Sequence, residues 1–357
     1  MGTTQLVKKA IKAVKEEGIQ GCAKKTKSYL ENQKRLRRKI EKKYKDILFI
    51  SGCGEDLPHP WRYRVKHQRE QLEAYNYSTD EVYFTQLDID QIRYYRAFVF
   101  FRCPMTETIG TFVDLAKQLN KTIIYDIDDL VIDTQYTDQI KYVMAMPEED
   151  KKAYDNNVMN MQKLLRKCDF AITSTDCLAE ELRKYIPKVY INRNVASEKM
   201  IQLSKEAIVK IKKDNTKVKI GYFSGSITHN ADFEMIKPVL IEVLKKYENV
   251  ELYLAGELDL PVELNPWKER IKKYPFGDWK KLPEILAEMD INLAPLEDTI
   301  FNKAKSENKW TEAALVKVVT IASDIGAFHD CIKNGETGVL CKDNDEWKVE
   351  LERLITD

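Results

Sequence analysis

Segments that are apolar throughout, set between stretches of helical period, recur along this chain and leave few folds open to it. Ala97-Phe-Val-Phe-Phe101 carries no polar residue, as a strand covered on both faces requires. Asp46-Ile-Leu-Phe-Ile50 runs into the small-residue turn Ser51-Gly-Cys-Gly54. A helical pattern from Thr106 to Leu119, the strand-like Thr122-Ile-Ile-Tyr-Asp126, a helix over roughly 148–167 and Phe170-Ala-Ile-Thr173 follow. This rhythm predicts a parallel sheet with helices on both faces. Past a lysine-rich helix and connector at 196–216 it restarts with Val218-Lys-Ile-Gly-Tyr-Phe223 and continues through 251–255, 291–295 and 318–322. The expected fold is therefore α/β, with two Rossmann-like doubly wound domains, 46–215 and 216–357, facing across a cleft. An N-terminal basic helical arm covers 1–45. Binding belongs at the carboxyl ends of the strands, in the cleft.

With 357 residues, 43% of them hydrophobic, the chain can bury two cores. Its net charge of +1 argues against a nucleic-acid partner. The charge is unevenly placed: residues 1–45 hold fifteen Lys or Arg against four acids, a local balance of +11. Such an arm suits peripheral contact with an anionic membrane, or forms an ordinary solvated helix pair. The seven cysteines are scattered without a CxxC pair, which favours free thiols in a reducing compartment. The N-terminus lacks the apolar run of a signal peptide, and no stretch of about 18 apolar residues occurs, so a cytoplasmic protein is expected.

Four groups of residues are candidates for chemistry. Ser224-Gly225-Ser226, with His229 and Asp232 behind it, follows a strand and precedes a helix. Small residues there let backbone N–H groups approach a phosphate at a helix N-terminus; a plain strand–helix turn is the alternative. Lys305, Lys309 and Glu312, spaced i, i+4, i+7, fall on one face of a helix that Ser306 would cap. Two lysines in the first turns oppose the helix dipole unless an anion such as a diphosphate neutralises them, and Glu312 one turn deeper suits ribose hydroxyls. An exposed, salt-bridged face explains the same spacing. Asp126, Asp128 and Asp129 end an apolar strand. They suit a metal ion, acceptor hydroxyls, a catalytic base (Asp128) or an acidic turn capping a helix. Trp61-Arg-Tyr-Arg-Val-Lys-His-Gln68 opens a helix from which Arg62, Arg64 and His67 would meet a phosphorylated acceptor, or lie at the surface. Arg102 falls at a cleft edge.

Together these residues resemble the retaining family 4 glycosyltransferases of the glycosyltransferase-B fold, bacterial cell-surface polysaccharide type. The likeness is strongest over 218–356, where Lys219-Ile-Gly-Tyr-Phe-Ser-Gly-Ser226, Leu293-Ala-Pro-Leu296, Lys305-Ser-Glu-Asn-Lys-Trp-Thr-Glu312 and Asn334-Gly-Glu-Thr-Gly-Val-Leu340 stand in the family's order. Tyr63-Arg-Val65, Phe101-Arg-Cys-Pro104 and Tyr125-Asp-Ile-Asp-Asp-Leu130 carry it in the other half. The resemblance implies transfer of a sugar from a nucleoside-diphosphate sugar to a glycan or lipid-linked acceptor, with retention and with no cofactor or obligatory metal. Glu312 would hold the donor ribose, Lys309 the diphosphate with Lys305 assisting, and 224–226 would contact it through backbone and hydroxyls. The family's first acid, eight residues before Glu312, is here Ala304. That departure leaves room for a catalytically inactive, glycosyltransferase-like binding or partner subunit.

Overall fold

The structure, a computed structural model, describes residues 44–54, 58–224, 230–256, 258, 260–275 and 277–357, with Asn230 described in its backbone alone. The basic segment through Lys43 thus lies outside the described residues, as do Gly225, Ser226 and His229.

Six strands occupy the first half: β1 Lys45–Ser51, β2 Thr79–Tyr83, β3 Tyr95–Phe101, β4 Thr122–Asp126, β5 Phe170–Thr173 and β6 Val189–Ile191. Six more occupy the second: β7 Val218–Phe223, β8 Val250–Ala255, β9 Ile271–Tyr274, β10 Ile291–Ala294, β11 Val319–Ser323 and β12 Val339–Cys341. They pair in parallel into two sheets, ordered β2-β1-β3-β4-β5-β6 and β12-β11-β10-β7-β8-β9. Two doubly wound α/β layers are what the sequence rhythm predicts, and helix Glu198–Lys210 lies between them in the chain.

The apolar runs account for the cores. Phe98 of β3 meets Phe112 of helix Glu107–Gln118 edge-on at 4.8 Å. In the second sheet Tyr222 of β7 lies 5.1 Å from Phe233 of helix Asn230–Lys246, while Trp347, Leu351 and Ile355 of helix Asn344–Thr356 join the same core. Among the described residues no helix is long and apolar enough to cross a membrane, and six cysteines are free thiols.

Each sheet reverses its strand order once, between β1 and β3 and between β7 and β10, and such points open a crevice at the strand carboxyl ends. Both crevices depend on a glycine. A Cβ on Gly52, just after β1, would sit 2.1 Å from the Arg102 carbonyl oxygen at the end of β3. A Cβ on Gly256 would sit 1.9 Å from the Ser224 carbonyl oxygen, and Gly256 adopts φ +101°, which suits glycine alone.

Candidate functional site

The second reversal point holds the stronger constellation. Ser224, buried at the end of β7, donates its N–H to the Ala255 carbonyl at 2.8 Å, which ties β7 to β8 where a ligand would approach. Opposite stands helix Asn308–Leu315, anchored because Asn292 of β10 donates from Nδ2 to the Lys309 carbonyl at 3.2 Å. Lys309 points back over β7, its Nζ 4.8 Å from the centre of the Tyr222 ring. That Nζ is buried and has no hydrogen-bond partner among the described residues. Burial pushes its pKa down to about 8, against the pull of Asp232, and the charge on Lys305 pushes the same way. Asp232 is itself engaged: its Oδ1 accepts from the Glu297 N–H and from Asn302 Nδ2, both at 2.9 Å.

Glu312 lies one turn further along and meets the other half of the chain. Its Oε1 accepts from the Tyr63 hydroxyl at 2.6 Å and lies 3.4 Å from Arg62 Nη2. Burial raises the Glu312 pKa, and Arg62 and Tyr63 hold it back. Arg62 also stacks over Trp279 at 4.6 Å.

The expected helix starts later than the lysine spacing suggests. Its first residue is Asn308, preceded by Glu307, which makes no side-chain cap. Lys305 therefore sits in the bend before the helix rather than on its face, and Ser306 does not cap it. The Ser306 Oγ instead accepts from Asn194 Nδ2 at 3.2 Å, a tie to the first half of the chain. Ala304 is fully buried, and its carbonyl accepts from Thr175 Oγ1 at 3.0 Å.

The first reversal point holds a different set. Arg102, at φ +46°, places its Nε 2.6 Å from Asp128 Oδ1 and its Nη2 3.6 Å from Asp129 Oδ2. Burial opposes the guanidinium charge, yet the two carboxylates outweigh it and raise the Arg102 pKa. Asp128 and Asp129 thus share one guanidinium, which competes with any cation for their oxygens. Among the described residues no group of three or more His, Cys, Asp or Glu is placed to hold a metal ion.

Two expectations about the acceptor side need correction. Arg64 and Asp126 are both fully buried and form a bidentate pair, Nε to Oδ1 at 2.9 Å and Nη2 to Oδ2 at 3.0 Å. Gln68 Nε2 donates to the same Asp126 at 2.6 Å, and Arg64 Nη1 donates to the Asn192 carbonyl. These groups satisfy one another and leave no face for an acceptor. His67 likewise turns inward: burial lowers its pKa, and its Nδ1 lies 2.7 Å from the Val195 carbonyl oxygen, which a neutral ring meets by donating Nδ1–H. Arg62 does reach across, but to Glu312. The physical cause is a π-helical turn, Arg62–His67, between the short helix Pro58–Trp61 and helix Gln68–Ala74. Its wider turn, closed by i→i+5 hydrogen bonds, re-aims the side chains, a device often found at functional sites.

Tyr63 and Trp279 join the site beyond the residues that spacing points to. Tyr63 stands between two arginines, the one local signal that marked it; Trp279, a lone aromatic beside Lys280 and Lys281, had none. A separate groove of about 660 Å³ beside β12 is lined by Asp324, Asp345, Glu346 and Glu350 against Lys342 and His329, a net acidic set that disfavours a diphosphate.

Two parallel sheets of this order, each with a ligand crevice at its reversal, define a two-domain Rossmann-like fold of the glycosyltransferase-B type. Residues 217–357 match the family described as Glycosyl transferases group 1. Sucrose-phosphate synthase from Thermosynechococcus elongatus is similar over 87% of this chain and 90% of its own, with 13% identity and a TM-score of 0.58. Anabaena HepE in complex with UDP and glucose is similar over 88% of this chain and 90% of its own, with 12% identity and a TM-score of 0.53. The HepE complex with UDP-glucose gives 14% identity and a TM-score of 0.51 over 87% and 90%. At these identities the likeness concerns the fold. No curated protein sequence matches the chain.

Proposed function

We propose that this chain transfers a glycosyl group from a nucleoside-diphosphate sugar to a glycan or lipid-linked acceptor, with retention and without a metal ion, in the cytoplasm during cell-surface polysaccharide synthesis. The observation that carries the reading is Lys309: a buried ammonium with no hydrogen-bond partner among the described residues, aimed at the end of β7 beside Glu312. An isolated buried charge is costly unless an anion completes it. A diphosphate does so, and its departure from the anomeric carbon is the step that needs positive charge held in place. Lys309 supplies that charge, with Lys305 and the N–H groups of 224–226 assisting, and Glu312 receives the ribose. Asp128 and Asp129, oriented by Arg102, line the opposite crevice where acceptor hydroxyls enter. The residues 217–357 match and the Lys309 environment support the donor half of this reading; residues 1–45 provide a basic arm for peripheral membrane contact.

Because HepE was solved with UDP-glucose, that sugar nucleotide is the first donor to test. Titration with UDP, GDP, dTDP and CDP, followed by a transfer assay with the sugar of whichever diphosphate binds, tests the proposal. Lys309→Ala should lower kcat on the order of 10²–10³-fold, the usual scale for a preorganised charge-stabilising group. Near-native turnover would refute the role of Lys309. One observation favours a second reading, an inactive nucleotide-binding subunit. Ala304, where the resembled family places an acid toward the donor sugar, is sealed in the interior and tied to Thr175. Nucleotide binding without hydrolysis or transfer would select it.

A further inference from the structure

Glu312 lies in a buried setting, and the first half of the chain already engages one of its two carboxylate oxygens, Oε1. Tyr63 donates to Oε1 at 2.6 Å, and Arg62 approaches the same oxygen at 3.4 Å. Both residues come from the π-helical turn, whose remainder is fixed by the buried Arg64–Asp126 pair and by His67 against the Val195 carbonyl. Arg62 is further held by stacking on Trp279, yet its Nε is buried without a hydrogen-bond partner among the described residues. The turn is thus anchored at one end and incompletely satisfied at the other.

We infer that Tyr63 competes with the donor ribose for Glu312 Oε1, so that the Arg62–Tyr63 end of the π-helical turn is a latch which must withdraw before both carboxylate oxygens can serve the two ribose hydroxyls. This rests on the assignment of Glu312 to the ribose. A hydroxyl bonded to a carboxylate is among the stronger neutral-to-charged hydrogen bonds, and releasing it shifts an opening equilibrium about tenfold or more. Donor affinity is reduced by the fraction of molecules in which the carboxylate is open, so weakening the latch strengthens binding. The competition also couples the two halves: closure over Glu312 and donor occupancy exclude each other until the turn moves.

The test uses calorimetric titration of the full chain with UDP, GDP, dTDP and CDP, comparing wild type, Tyr63→Phe and Lys309→Ala. Hydrogen exchange of the amides in 62–67 serves as a second readout, since exchange of a segment scales with its opening equilibrium. The latch predicts that Tyr63→Phe lowers Kd about tenfold for the diphosphate that binds and speeds that exchange to a similar degree, while protection of β3 shows the fold intact. An unchanged or raised Kd in Tyr63→Phe, with wild-type binding abolished by Lys309→Ala, overturns the latch and leaves the donor site standing. Absence of binding in both wild type and Tyr63→Phe sinks the donor-site assignment and the latch with it.

Discussion

Replacing Lys309 by methionine should make this protein more stable at neutral pH and unable to hold a diphosphate. Lys309 titrates at about 8 in the fold against an ordinary lysine value of 10.5. A depression of that size costs about 3 kcal/mol when the group is charged, at about 1.4 kcal/mol per pH unit. The sign follows from proton linkage. Between pH 8 and 10.5 the unfolded chain binds more protons at this site than the folded one, so stability rises with pH across that window. The cost is therefore fully present below pH 8 and gone above 10.5. Methionine keeps the length of the side chain and a favourable sulfur contact with the Tyr222 ring, and removes the charge. Its advantage should approach 3 kcal/mol at pH 7, a rise in Tm of about 4 °C for a chain of this length, and vanish as the pH passes 10.5. A diphosphate at a hundred times its Kd stabilises the wild type by about 2.7 kcal/mol. Ligand should thus bring the wild-type melting curve close to the variant's and leave the variant unmoved. Thermal melts at pH 7, 9 and 10.5, with and without UDP, measure all of this. A Lys309→Met protein less stable than wild type at pH 7, or an advantage that does not fall with pH, would refute the argument that Lys309 is an isolated buried cation.

Three other substitutions probe the surroundings. Glu312→Ala should weaken nucleotide binding about 10–100-fold, the worth of hydrogen bonds to a charged group, and an unchanged Kd by calorimetry would remove the ribose role. Ala304→Glu should not restore a sugar contact: it places a carboxylate where exposure is nil beside the Thr175 tie, so the unfolding free energy from urea titration should drop by several kcal/mol, with no gain in transfer. Arg64→Met leaves Asp126 charged and buried without its guanidinium and should cost about 3–5 kcal/mol in denaturant unfolding; a loss under 1 kcal/mol would show that the Arg64–Asp126 pair does not anchor the turn.

The strands that the sequence pattern missed have one property in common. Thr79–Tyr83, Val189–Ile191, Ile271–Tyr274 and Val339–Cys341 are the four edges of the two sheets. Interior parallel strands are covered on both faces and read as apolar runs, whereas an edge needs only one good neighbour and tolerates Asp80, Glu81, Lys272 and Lys273. The same logic separates the site residues. Lys309 and Glu312 could be paired from spacing because one helix carries both. Lys305 could not be excluded, because the start of that helix is decided by Asn194, which holds Ser306 and the side chain of Asn308 from the other half of the chain. Arg64 resembled an exposed basic residue between Tyr63 and Val65 because its carboxylate partner lies 62 positions away.

The two readings of the site differ in what they ask of Ala304 and Lys309, and those residues point in different directions. Ala304 cannot touch a sugar: its methyl group is interior and its carbonyl serves Thr175, so whatever orients the donor sugar comes from elsewhere. Lys309 has the opposite character, since keeping it charged in the fold costs about 3 kcal/mol and no group among the described residues repays that by hydrogen bonding. A hydrophobic residue of its size would fill the same space over Tyr222 without that cost. A fold that only displayed a surface to partners would gain nothing from such a charge, while one that grips and releases a diphosphate needs it. The physical weight therefore falls on anion binding as the retained property. Transfer then depends on whether the crevice at Arg102, Asp128 and Asp129 can bring an acceptor hydroxyl to the sugar held beyond Lys309, and sugar-nucleotide turnover that falls with Asp128→Asn at unchanged diphosphate affinity is the result that would establish it.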